Sequence, residues 1–224
     1  MLNKFIGLVK RVMGMVGTAD IKKYFGVDAA VTNEMITATD LWMDMYSGVS
    51  DGVSLQLPSS IASEIARLAT IEMQSEISGS GRAGYLNEQY QRIKSMLRVQ
   101  IEYGCAGGGL ALKPYISNNS IQVDFVKANA FVPTAFDNSG RMSGAVFSDK
   151  IRIGNTYYTR LESHRLEGDR YTVENKAFRS DTESYIGSEA PLDSVEAWGD
   201  IAPEVAISGV SAPLFAYFKV PIAN

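Results

Sequence analysis

The feature that most constrains this chain is a change of hydrophobic period at Gly104. Before it, apolar residues recur at helical spacing; after it, they alternate with polar ones. The first pattern lines one face of a helix and the second one face of a strand. The clearest helical stretch runs from Tyr85 to Tyr103, with Leu86, Tyr90, Ile93, Leu97 and Ile101 on its stripe. Gln89, Arg92, Lys94 and Arg98 lie off it. Past Gly107–Gly109, Leu110, Leu112 and Tyr115, then Ile121, Val123 and Phe125, alternate with Ala111, Lys113, Gln122 and Asp124. Helices first and antiparallel strands second predict an α+β fold rather than a parallel α/β sheet.

Two more helices are expected. One covers 29–46, capped by Thr32 or Asn33, with Trp42, Met43, Met45 and Tyr46 near its end. Gly48, Gly52 and Pro58 then break the chain. A second is capped by Ser59 or Ser60, with Glu64 placed to complete a capping box if Ser60 or Ile61 opens the first turn, and carries Ile61, Ile65, Leu68, Ala69, Met73 and Ile77 as its stripe. In the second half, Asn118-Asn119 fits a tight hairpin turn. Further strands are expected over 129–135, 141–153, 155–166 and 169–178, separated by Asn138-Ser139-Gly140, Gly154-Asn155 and Gly168-Asp169. From about 187, Pro191, Pro203, Pro213 and Pro221 point to irregular extended chain.

Charge divides the chain differently. Residues 1–24 carry a net charge of +4 and the remainder −8. In MLNKFIGLVKRVMGMVG, Leu2, Phe5, Ile6, Val9, Val12, Met13 and Val16 share a helical face opposite Lys4, Lys10 and Arg11. A signal peptide would have an unbroken apolar core, which Lys10 and Arg11 interrupt. A membrane-surface helix has this pattern. So does a helix that docks on its own protein or on a neighbouring subunit. The expected organisation is a basic amphipathic arm over 1–24, a helical region over 25–105 and an antiparallel β-rich region over 106–224.

Several chemistries are closed off. The single cysteine, Cys105, rules out an intrachain disulfide framework and a cysteine zinc site, and the single histidine, His164, rules out a His-rich metal site. No apolar run reaches the roughly 18 residues of a membrane span. The acidic balance argues against coating nucleic acid by charge alone. Gly48-Val49-Ser50-Asp51-Gly52 spells G-x-S-x-G, but a hydrolase elbow needs a strand before the serine. Gly79-Ser80-Gly81-Arg82-Ala83-Gly84 spells G-x-G-x-x-G, yet a helix is expected before it where a dinucleotide site needs a strand. A flexible helix–helix connection is the expectation. His164 shares a strand face with Glu162 and Arg160, a group that could do acid–base work but is expected to be a solvated face. Glu72 and Glu76 are spaced one helical turn apart, with no reason to be catalytic. Lys94 and Arg98 share a helix face near Arg92 without the aromatic interleaving of a nucleic-acid clamp. No residue is therefore nominated as catalytic, cofactor-binding or metal-ligating.

Past residue 105 the chain resembles the portal proteins of long-tailed bacteriophages. The segments that carry the resemblance are Gly109–Tyr115, Val123–Val126, Phe131–Asp137, Gly140–Phe147, Tyr157–His164, Tyr171–Phe178 and, most closely, Pro213–Asn224. Ser63–Ala69 fits the helical region of the same family. The weight comes from many segments in one order, not from a catalytic fingerprint. The resemblance implies a non-enzymatic structural protein of the virion, made in the bacterial host cytoplasm. Such proteins form a homo-oligomeric ring, usually of twelve subunits, at one capsid vertex. The ring meets major capsid and scaffold proteins, the terminase large subunit and head-completion or tail proteins. Double-stranded DNA passes through it without sequence-specific binding, and no cofactor or membrane is involved. Members continue into stem and clip regions, so the resemblance implies that these residues are the N-terminal, mostly wing, part. Three other readings are another capsid-associated minor protein, a peripheral membrane protein using residues 1–17, and a hydrolase built on Ser50 and His164.

Overall fold

The computed structural model describes residues 16–48, 55–117 and 119–220. The arm over 1–15, the loop carrying Ser50, Asn118, and the last four residues lie outside them. The fold is α+β: helices precede antiparallel sheets along the chain. Contacts divide it into two compact units, residues 1–40 with 130–213, and 41–129 with 214–224. Each unit combines early helices with later strands, because a sheet face is stable only when something apolar covers it. The units therefore cut across the segments 25–105 and 106–224 defined by the change of pattern.

In the first unit, α1 (Thr18–Phe25) opens at Gly17, whose N–H donates to Asp20 Oδ2 at 3.1 Å. α2 (Asn33–Ser47) begins in this unit, and Thr32 caps it by accepting the Met35 N–H at 3.3 Å. The strands that follow are β3 (Phe131–Phe136), β4 (Met142–Ile153), β5 (Thr156–Glu167), β6 (Arg170–Ser180), β7 (Ser188–Ala190) and β8 (Glu204–Ser208), named after β1 and β2 of the second unit. They pair antiparallel in the order β3-β4-β5-β6-β7, and β8 also pairs with β6. Two-residue loops at Gly154-Asn155 and Gly168-Asp169 join β4 to β5 and β5 to β6, with the glycines at φ +61° and +64°. Only a residue free to adopt positive φ matches the twist of such a hairpin. Pro133 sits where it removes no ladder bond, at a bulge on edge strand β3, and its carbonyl accepts the Ala30 N–H at 2.8 Å.

Both sheet faces are covered. Val132, Val146, Leu161 and Phe178 pack against Ile21 and Phe25 of α1 and against Ile36 and Ile186. On the other face, Ala177 packs against Val195 and Trp198, from the irregular chain after β7, with Tyr158, Leu192 and Ile201 beside them.

The second unit holds the rest of α2, then α3 (Leu57–Thr70), α4 (Ala83–Lys94) and α5 (Leu97–Gly107). Its sheet has the order β2-β1-β9, from β1 (Gly109–Ser117), β2 (Ser120–Lys127) and β9 (Ala216–Lys219). The Gly-rich junction has a steric cause. Gly108 ends α5 in the left-handed region at φ +81°, and a Cβ on Gly104 would stand 2.7 Å from Leu110 Cδ2.

Three helix expectations are corrected. α3 starts at Leu57 with Gln56, not Ser59 or Ser60, at its cap, because Pro58 falls in the first turn, where its missing N–H costs nothing. It also ends at Thr70, short of Ile77. Beyond it, side chains of α4 satisfy the backbone: Asn87 Oδ1 accepts the Ile77 N–H at 2.9 Å, while Gln91 Nε2 and Lys94 Nζ donate to Ser75 O, each at 3.2 Å. Extended chain along α4 thus replaces the last helical turns. The single helix over 85–103 is two helices that meet at Ser95-Met96, where the Met96 N–H bonds to Ile93 O at 3.1 Å. The Ser95 hydroxyl donates back to Arg92 O at 2.7 Å, a bond that competes with the helix ladder and bends it.

Candidate functional site

The densest polar group in the first unit grows out of the pleat of β5. Alternation places Arg160, Glu162 and His164 on one face. The β5–β6 register sets Val173 opposite His164, so Tyr171 is its diagonal neighbour. His164 Nε2 bonds to Glu162 Oε1, and its Nδ1 lies 2.6 Å from the Tyr171 hydroxyl. With the proton on Nε2, Nδ1 accepts the Tyr171 O–H. Arg160 meets the other Glu162 oxygen at 3.2 Å and lies over the Trp198 ring. Phe147 and Tyr171 stand edge-on to the imidazole, 5.0 and 5.7 Å away.

A solvated face was the expectation for this row, and the structure overturns it. His164 is 6% exposed and Tyr171 not at all. The cover comes from far along the chain: Trp198 donates to Asp149 at 3.3 Å, and Asn175, opposite Glu162, donates to Ala202 O at 3.0 Å. The arrangement has the parts of an acid–base relay. Its burial denies a substrate access to either His164 nitrogen, and each nitrogen already has a partner inside the unit.

The remaining sequence candidates are scattered. Ser50 lies outside the described residues. The glycine-rich stretch 79–84 connects extended chain, not a helix, to α4, and that extended chain belongs to neither sheet. Glu72 and Glu76 fall after the end of α3, so no helical turn brings them together. Cys105 is half-buried, and desolvation with the nearby Glu102 charge pushes its thiol up, away from thiolate reactivity. Lys94 and Arg98 are separated by the Ser95-Met96 break, yet both line a cavity of about 430 Å³ with Arg67, Thr70 and Leu97. A second cavity of about 430 Å³ adjoins it at Arg67 and Arg98. Local bonds engage part of this lining. Arg67 holds Glu64 through two bonds of 2.8 and 2.6 Å, and Glu102 accepts the Tyr46 O–H at 2.7 Å. Among the described residues, no three His, Cys, Asp or Glu side chains converge on a metal position, and no helix is long and apolar enough to cross a membrane.

What the second unit does present is apolar surface. α3 packs on α5 through Ala62 and Ala66, the latter wholly buried. Its large side chains face the other way: Leu57, Ile61, Ile65 and Leu68 are 43 to 59% exposed along one face. The large side chains of the apolar stripe are thus surface, and the small Ala62 and Ala66 form the buried side of α3. Trp42 and Met45 of α2 are exposed as well. Soluble proteins rarely show such a continuous apolar strip unless it meets a partner. The helical period marks Ile61, Ile65 and Leu68 as one face and leaves out Leu57, and a period does not say which face is covered. No protein-family model matches the chain, and no curated protein matches it either.

Proposed function

We propose that this chain is a structural subunit of a tailed-phage portal, the ring at one capsid vertex through which genomic DNA is packaged and ejected. The observation that carries the reading is the exposed Leu57–Ile61–Ile65–Leu68 stripe, a surface built for a protein neighbour. The many segments after residue 105 that resemble portal proteins supply the family. In this reading the subunits form a ring, usually of twelve, within the virion. The ring meets capsid and scaffold proteins, the terminase large subunit and tail components. Its function is mechanical, not catalytic. The net charge of −8 outside residues 1–24 fits a channel that must let duplex DNA slide, since each phosphate held by a lysine or arginine would resist movement.

Negative-stain electron microscopy of the purified protein tests the proposal. Closed rings with a central hole of about 20 Å or more, the scale of a grooved duplex, are the expected result. Monomers at every concentration, or open filaments, would count against it.

A further inference from the structure

We infer that the cavity between the end of α3 and the α4–α5 break binds the phosphate group of a small phosphate monoester. The inference stands apart from the ring reading and holds or fails without it. Three bases line this cavity of about 430 Å³: Arg67 from the last turn of α3, Lys94 from the end of α4 and Arg98 from the start of α5. Among the described residues that line it, none is acidic. The three charges are differently engaged. Arg67 is paired with Glu64 through its Nε and one terminal nitrogen, which leaves the rest of its fork to donate. Lys94 Nζ donates to the neutral Ser75 carbonyl at 3.2 Å, so its charge is not cancelled. Arg98 has no hydrogen bond or ion pair among the described residues. Its field reaches Glu64, whose carboxyl is held low chiefly by the bond from Arg67.

Two positive charges therefore face the cavity without a paired acid. A phosphate monoester carries about −1.5 to −2 near pH 7 and offers three acceptor oxygens, where a carboxylate brings a single charge. Arginine forks and a lysine are suited to hold it. The rest of the wall is apolar, from Ile71, Met73 and Leu97, and suits the organic part of the ester. The volume falls within the range of small-molecule sites. Carbonyls at the end of α3 would repel an anion, but three are occupied. Ala66 O accepts the Thr70 hydroxyl at 2.7 Å, Arg67 O the Ile71 N–H at 2.9 Å and Thr70 O the Met73 N–H at 3.3 Å. The adjoining cavity carries Glu64 and Glu102 and does not suit an anion. The net −8 of residues 25–224 acts against a long polyanion. A single phosphate in the cavity meets these bases first, because charges beyond about 8 Å are screened at physiological salt.

Isothermal titration calorimetry of the full chain with phenyl phosphate, in a phosphate-free buffer at physiological salt, tests this. The expected result is saturable binding with a Kd below about 1 mM. Inorganic phosphate, which lacks the organic part, should bind more weakly, and benzoate at least about fivefold more weakly than phenyl phosphate. Hydrogen exchange should slow within 70–75 and 94–99 when phenyl phosphate is present. Arg98→Gln, which breaks no bond among the described residues, and Lys94→Gln should each raise the Kd about tenfold, the scale of one lost charge-assisted contact. Arg98→Gln should leave thermal unfolding unchanged. Arg92→Gln removes a charge from α4 outside the cavity and should change the Kd less than about twofold. No saturation below about 10 mM, protection elsewhere on the chain, benzoate binding as tightly as phenyl phosphate, or an equal loss in Arg92→Gln would each overturn the inference. The presence or absence of rings bears on none of these outcomes.

Discussion

At the scale of single residues, two polar side chains have effects that can be measured directly. Asp137 closes the turn between β3 and β4. Its Oδ1 accepts the N–H groups of Ser139 and Arg141, both at 2.9 Å, and the Ser139 hydroxyl at 2.6 Å, while Arg141 Nε donates to Oδ2 at 2.9 Å. These bonds need the ionised carboxylate, and the Ser139 hydroxyl with the Arg141 backbone holds it well below the usual carboxylate range. A depressed folded value means that the turn gains its support above the ordinary aspartate pKa and loses it as pH falls through the lowered one. A carbon-detected NMR titration should therefore find the Asp137 carboxyl still ionised at a pH where a model-peptide aspartate is half protonated. Titration with the model peptide would mean that the turn does not hold the charge. The Tyr171 hydroxyl is the second case. Tyr171→Phe keeps the buried ring and removes the hydroxyl that is hydrogen-bonded to His164 Nδ1. A loss of about 1–3 kcal/mol in urea unfolding is expected. A loss under about 0.5 kcal/mol, the range of surface substitutions, would show that the hydroxyl contributes little to the network.

At the scale of elements, the α5–β1 junction and α4 make a contrast between two glycines. A Cβ on Gly109 would stand 2.7 Å from the Phe218 carbonyl oxygen, which belongs to the backbone of β9 and cannot rotate away. Gly109→Ala must push β9 off β1 and should cost about 1–3 kcal/mol, as overpacking does. Gly84 lies in the first turn of α4 with nothing within 4 Å of its Cβ position. Gly84→Ala should leave stability unchanged or raise it by up to about 1 kcal/mol. If thermal unfolding ranks the two variants the other way, β9 is not the tight partner the register describes. The same elements show what a sequence makes legible. The hairpins at Gly154-Asn155 and Gly168-Asp169 could be read because turn chemistry is local, and the strands they join end within two residues of expectation. The period of α3 was equally readable, but a period says which residues share a face and not which face meets the protein. That choice was made by Ala62 and Ala66, whose small size admits α5. The His164 row was legible as a set on one strand face. Its burial depends on Trp198 and Ala202, more than thirty residues further along the chain, which no local pattern reports. The break at Ser95-Met96 was hidden for another reason: both residues keep right-handed helical angles, and only the hydrogen-bond register changes.

At the scale of the whole molecule, charge makes a claim that neither unit makes alone. A net of +4 is confined to residues 1–24, and −8 is spread over the rest. Affinity for duplex DNA grows with the number of phosphates that lysines and arginines neutralise, each releasing counterions, so the salt dependence of binding counts those contacts. Some of the described basic side chains already have acidic partners, as Arg67 has Glu64, Arg92 has Glu88 and Arg160 has Glu162, and the net negative charge of residues 25–224 opposes duplex phosphate at the others. The protein should therefore bind a duplex of about 30 base pairs with a Kd no tighter than the roughly 10⁻⁴ to 10⁻⁶ M of non-specific association at physiological salt, and with a shallow salt slope. Removing residues 1–15, which carry a net +3 and leave α1 intact, should weaken even that, since the remaining residues carry a net −7. Fluorescence anisotropy over a salt series reads both quantities. A Kd below about 0.1 µM with a slope equivalent to six or more phosphate contacts would describe a clamp, and a clamp is incompatible with a passage through which DNA must move in both directions.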